Sequence, residues 1–92
     1  MLIIGESLNA TIPKVGQAIQ SRDAAFVSKL AQEQRDAGAQ MLDVNAAVPG
    51  GNETEDLTWL VTTVQAAVDV PLMLDSASPD ALRGAIAVCK QR

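Results

Sequence analysis

The chain has 92 residues, enough for one small hydrophobic core and too few for two. Apolar residues make up 48% and charged residues 20%, an ordinary balance for a globular protein, but aromatics are 2%, only Phe26 and Trp59, which argues against a base-stacking nucleic-acid module. The formal charge of −4, with no basic cluster, disfavours a phosphate-backbone partner, and the lack of histidine excludes a Cys/His zinc site and any histidine base in this chain.

Cys89 is the only cysteine, so no disulfide forms within the chain, which fits a reducing compartment. Met1 is followed at once by Leu-Ile-Ile-Gly-Glu, with no basic n-region, and no apolar run approaches the roughly 18 residues of a membrane span. The expectation is a cytoplasmic protein without a membrane partner.

Leu2-Ile3-Ile4 is the first short apolar run, and Gly5-Glu6-Ser7 closes it: a buried strand ending in polar groups. Asn9 and a loop through Thr11 follow, and Pro13 opens a short helix to about Gln20, weakened by Gly16. Asp23 is placed to cap the next helix. There Phe26, Val27, Leu30, Ala31 and Gln34 share one face, and Lys29, Gln32, Glu33, Arg35 and Asp36 lie elsewhere. Gly38 is a natural stop, and Met41 to Asn45 reads as the second strand.

A Pro/Gly loop over Val48 to Asn52 leads to a third helix. Asn52 with Glu55 resembles a capping box, and Glu53, Glu55 and Asp56 sit where the helix dipole favours negative charge, as a solvated helix start. Leu57, Leu60, Val61, Val64 and Val68 form its apolar stripe, Trp59 lies at the border, and Asp69 ends it. Pro71-Leu72-Met73-Leu74 predicts a third strand buried on both faces, followed by Asp75 and Ser76. Ser78-Pro79 is an N-cap with proline at the first helical position. That last helix is expected to reach Lys90 with Leu82, Ala85, Ile86 and Cys89 inward. The order is β-α-β-α-β-α, an α/β domain over residues 1–92 with a parallel sheet.

The three strands end in Glu6/Asn9, Asp43/Asn45 and Asp75/Ser76. In a parallel sheet these ends share one edge, the edge where ligands bind in such folds. Carboxylates and carboxamides then converge with no cation among them. Such a set suits a flat, neutral heterocycle rich in N–H groups, of pterin or purine type, because an ionised aspartate accepts two parallel N–H bonds. Each residue also has an ordinary reading. Asp75 can bond the backbone of its helix, Asp43 can be structural, Asn9 and Asn45 can be turn formers, and Glu6 can be exposed or paired with a lysine. No residue of this set is assigned a catalytic step, and no metal site is expected.

Gly5-Glu6-x-x-Asn9, Gly38-Ala39-Gln40-x-Leu42-Asp43-x-Asn45 and Pro71-Leu72-Met73-Leu74-Asp75-Ser76 together resemble the pterin-binding methyltransferases. These include the methyltetrahydrofolate:corrinoid/iron–sulfur protein methyltransferase and the folate domain of cobalamin-dependent methionine synthase. The resemblance implies a (β/α)8 TIM barrel, of which this chain holds the first three βα units. It further implies that methyltetrahydrofolate is the methyl donor, that a Co(I) corrinoid on a partner protein is the acceptor, and that Asp75 hydrogen-bonds the pterin. Asp43, Asn45, Glu6, Asn9 and Ser76 complete the matching polar strand ends. Two other readings stand beside it. One is a non-catalytic partial barrel that assembles with itself, as a homo-oligomer, or with a complementing chain. The other is a dihydropteroate synthase-like enzyme, disfavoured because Asn45-Ala46-Ala47-Val48-Pro49 replaces the loop expected after its second strand.

Overall fold

A computed structural model describes residues 3–47 and 50–89. Strand β1 (Ile4–Asn9) leads into helices α1 (Pro13–Ser21) and α2 (Ala24–Asp36), then β2 (Met41–Asn45), α3 (Glu53–Ala67), β3 (Leu72–Leu74) and α4 (Pro79–Val88). The strands form one parallel sheet in the order β1-β2-β3, so the expected α/β arrangement of three successive βα units is observed. Leu2, the Val48–Pro49 part of the loop, and Lys90 lie outside the described residues. No described helix is long and apolar enough to cross a membrane.

Local chemistry sets the element ends. Asp23 Oδ1 accepts from Phe26 N, Asn52 Oδ1 from Glu55 N and Ser78 Oγ from Ala81 N, so α2, α3 and α4 each begin on a side-chain cap. Gly38, at φ +104°, closes the turn after α2 in a backbone region that favours glycine. Pro71 has no N–H to give, but its carbonyl accepts from Leu42 N at 3.0 Å and so opens β3 from within the ladder.

The core lies between the sheet and the helices. Leu8, Leu42 and Val44 from the strands are fully buried, as are Val27 and Ala31 of α2 and Leu57, Leu60, Val61 and Val64 of α3. Among the described residues, only one sheet face is covered. Along β2, Leu42 and Val44 are buried while Met41, Asp43 and Asn45 are half-buried, the alternation of a strand packed on one side.

That one-sidedness overturns the expectation of a doubly buried third strand: Leu72 is buried, but Met73 is 40% exposed. Three other expectations change. β1 does not end at its apolar run. It continues through Gly5, Glu6, Ser7 and Leu8 to Asn9, because an irregularity in its pairing with β2 lets Leu8 enter the core. α1 forms despite Gly16, whose missing Cβ makes room for the Ala10 carbonyl; an added Cβ would lie 2.7 Å from that oxygen. In α4 the inner face belongs to Ala81 and Ala85, and Ile86 is 46% exposed. Small residues allow α4 to approach α3 closely, with Gly84 opposite Thr58 and Thr54.

Candidate functional site

The candidate site is the open face of the sheet at the carboxyl ends of the strands. Asp43 is the third residue of β2, and its register partner on β3 is Met73. The Asp75 amide donates to the Val44 carbonyl at 3.0 Å, so the ladder runs one residue past β3 and brings Asp75 up beside the end of β2. Asn9 is aligned with Asn45 across the β1–β2 pair.

The charges of two other carboxylates act on Asp43. The Asp43 carboxyl is held above the usual aspartate range, first by burial, then by the negative charge of Asp75 and then by that of Glu6. Every ion pair among the described residues lies elsewhere, at Arg22–Asp56, Arg35–Asp36 and Arg83–Asp80, so no cation relieves this repulsion. No group of three or more Asp, Glu, Cys or His among the described residues is arranged to hold a metal ion.

Hydrogen bonding separates the ordinary roles from the unfilled ones. Asp75 does not cap its helix, since Ser78 does, and its exposed carboxylate has no hydrogen-bond partner among the described residues. Asp43 Oδ1 is buried and equally without a partner there. A buried acceptor with no donor is uncommon and marks a place where an N–H group fits. Asn9 and Asn45 do form turns: Asn9 Oδ1 accepts from Thr11 N at 2.9 Å and Thr11 Oγ1 at 2.8 Å, and Asn45 Oδ1 accepts from Ala47 N at 2.9 Å. Their carboxamide N–H groups are the donors left over. Glu6 is exposed and in no ion pair among the described residues. Ser76 stands apart from this set. Its hydroxyl donates to Glu53 Oε2 of α3 and accepts from Ser78 N at 3.0 Å, so it fastens the loop that presents Asp75.

Two features escaped the sequence reading. Gln34, placed on the inner face of α2, reaches the β1 backbone and accepts from Ser7 N at 3.3 Å. Asp56, expected in a solvated helix start, is 3% exposed. It takes Arg22 Nη1 at 2.9 Å and Gln20 Nε2 at 2.8 Å, and the same guanidinium lies 5.2 Å from the centre of the Trp59 ring. Nothing in the local pattern of α3 tells Asp56 from its exposed neighbour Glu55, because its partners come from 36 residues earlier for Gln20 and from the turn after α1 for Arg22.

Among the described residues the arrangement is thus an acceptor-rich rim without a paired cation and with one buried orphan oxygen. The family model for pterin binding enzymes matches residues 5–91. This chain belongs to the pterin-binding enzyme family. The methylcorrinoid:tetrahydrofolate methyltransferase of Eubacterium limosum is 43% identical to it over 91 residues, which cover 99% of this chain and 34% of that protein. The chain therefore spans about a third of the length of that curated relative. In this member of the pterin-binding enzyme family, the matched stretch takes in the strand-end residues from Glu6 to Ser76.

Proposed function

We propose that these three strand ends form the pterin-holding wall of a methyltransferase that moves a methyl group between N5 of a tetrahydrofolate and a corrinoid carried by a partner protein. The observation that carries the reading is Asp43 Oδ1, buried at the strand ends and unpartnered among the described residues, with the negative charges of Asp75 and Glu6 acting on the same carboxyl. The 43% identity to a methylcorrinoid:tetrahydrofolate methyltransferase supports the corrinoid half.

In this reading Asp75 accepts a pair of N–H bonds from the pterin edge, and Asp43 Oδ1 accepts a further one. The amide N–H groups of Asn9 and Asn45 donate to ring acceptors, while Glu6 stands at the rim. Ser76 supports Asp75 through Glu53 and Ser78. The corrinoid, when bound, supplies the cobalt that carries the methyl group. The relative's name has the methylcorrinoid as donor and tetrahydrofolate as acceptor, the reverse of the direction that the family resemblance implies. One wall serves either direction, because the pterin is held the same way in a common transition state. Toward tetrahydrofolate, N5 loses a proton as it gains the methyl group; in reverse, it regains one.

The test is a calorimetric titration with tetrahydrofolate, using Asp75→Ala as the comparison. Charge-assisted hydrogen bonds contribute about 1.5–3 kcal/mol, so the variant is expected to bind roughly 10- to 100-fold more weakly with its unfolding midpoint unchanged. Equal affinity in the two proteins sinks the role assigned to Asp75.

A further inference from the structure

Glu6 and Asn9 are three residues apart on one strand. Side chains of a regular strand alternate between faces, so an odd spacing sends two residues to opposite sides. Both nevertheless belong to the open face. Gly5 points toward α2, where an added Cβ would run into Gln34 Oε1 and come within 2.7 Å of Leu42 Cδ2, so Glu6 points the other way. Asn9 aligns with Asn45, one step beyond the buried pair Leu8 and Val44. A bulge reconciles the two. Gly5 pairs with Leu42 and Leu8 with Val44, which gives β1 one residue more than β2 over the same stretch. Bulges are rare in parallel pairs and concentrate at barrel rims and beside active sites.

A backbone amide that leaves the ladder needs another acceptor. Ser7 N finds Gln34 Oε1, reaching in from α2. The other end of that carboxamide, Nε2, is buried without a partner among the described residues. An apolar side chain at this position would avoid the orphaned donor, so what glutamine contributes is its oxygen. Gly5 supplies the space that the oxygen occupies.

We propose that Gln34 is a positioning residue for the candidate site: its carboxamide oxygen holds the β1 bulge at Ser7, and the bulge turns Asn9 onto the face where Glu6, Asp43 and Asp75 converge. Continuing the Gly5–Leu42 register without a bulge would set Ser7 opposite Val44, move Leu8 to the rim and send Asn9 to the helix side. The ligand arm of the proposal rests on the pterin reading above, and the backbone arm rests on geometry alone.

The experiment is amide hydrogen exchange and cross-strand proton contacts by NMR on the full chain, with tetrahydrofolate titrated in parallel. In the unsubstituted protein the Ser7 amide is expected to be protected and Asn9 to contact Asn45. In Gln34→Leu, Ser7 protection should fall at least tenfold and the Asn9–Asn45 contact should vanish, while the Leu42 and Asp75 amides that bond between β2 and β3 keep theirs. Tetrahydrofolate affinity should fall several-fold. Gln34→Glu, which keeps an oxygen at the same reach, should restore all three, and a general loss of stability would not give that selective rescue. An unprotected Ser7 in the unsubstituted protein overturns the proposal even if Gln34→Leu does not fold. So does a Gln34→Leu variant with Ser7 protection and the Asn9–Asn45 contact intact. If the unsubstituted protein binds no tetrahydrofolate, the pterin reading fails and the exchange data decide the role of Gln34 alone.

Discussion

Replacing Asp56 with alanine removes the charge that ties α3 to the end of α1. The Asp56 side chain is 4% exposed, and its two oxygens receive Arg22 Nη1 at 2.9 Å and Gln20 Nε2 at 2.8 Å. Removing one partner of a fully buried ion pair costs about 3–5 kcal/mol. Here the Arg22 side chain is 37% exposed and keeps its contacts with the Ile19 carbonyl and the Trp59 ring, so the freed guanidinium regains water. The expected loss is therefore about 2–3 kcal/mol, close to that of one or two charge-assisted hydrogen bonds. For a domain of this size that lowers the melting temperature by roughly 8–24 °C. Urea unfolding at neutral pH, at constant slope, measures the loss directly. Arg22→Ala and the double variant complete a cycle whose coupling should exceed about 1 kcal/mol. An Asp56→Ala variant within about 0.5 kcal/mol of the parent would refute the reasoning, because that is the behaviour of an exposed side chain.

Two further outcomes follow from the geometry. The Asp43 carboxyl titrates above its unfolded value, so the native state holds the proton more tightly; the resulting stability is complete below the ordinary aspartate range and is lost as pH rises through the raised value. Asp43→Asn should therefore be more stable than the parent at neutral pH, with the difference closing as pH falls below about 4, and urea midpoints that are equal at pH 7 would contradict this. Gly16→Ala gains helix propensity of up to about 1 kcal/mol, but the new methyl group meets the Ala10 carbonyl oxygen at 2.7 Å, which is backbone and yields little. A net loss of about 1–3 kcal/mol is expected in thermal melts, and a stabilised variant would show that the loop before α1 moves freely.

Much of the fold is legible in short windows. The apolar stripe from Leu57 to Val68 and the caps at Asp23, Asn52 and Ser78 depend on residues within a few positions of each other, and the structure shows them as read. The misreadings share one cause. Residue type and local spacing place Met73 and Ile86 inside and Asp56 outside, yet their exposure depends on which distant surface lies opposite. Met73 faces the uncovered side of the sheet, Ile86 yields the α3 contact to smaller alanines, and Asp56 is buried because Arg22 and Gln20 come to meet it.

The candidate site divides along the same line. That each strand ends in carboxylates and carboxamides, and that the strands run parallel so the ends share an edge, follows from the amino-acid order alone, because strand period and βα connections are local properties. Which of those groups are left unfilled is a tertiary matter. Asn9, Asn45 and Ser76 have oxygens committed to turns and a helix start, Asp43 keeps a buried oxygen without a partner among the described residues, and Asp75 stays exposed. Only the packed sheet decides that Glu6 and Asn9 face the same way, since their odd spacing forbids it in a regular strand and the bulge held from α2 permits it.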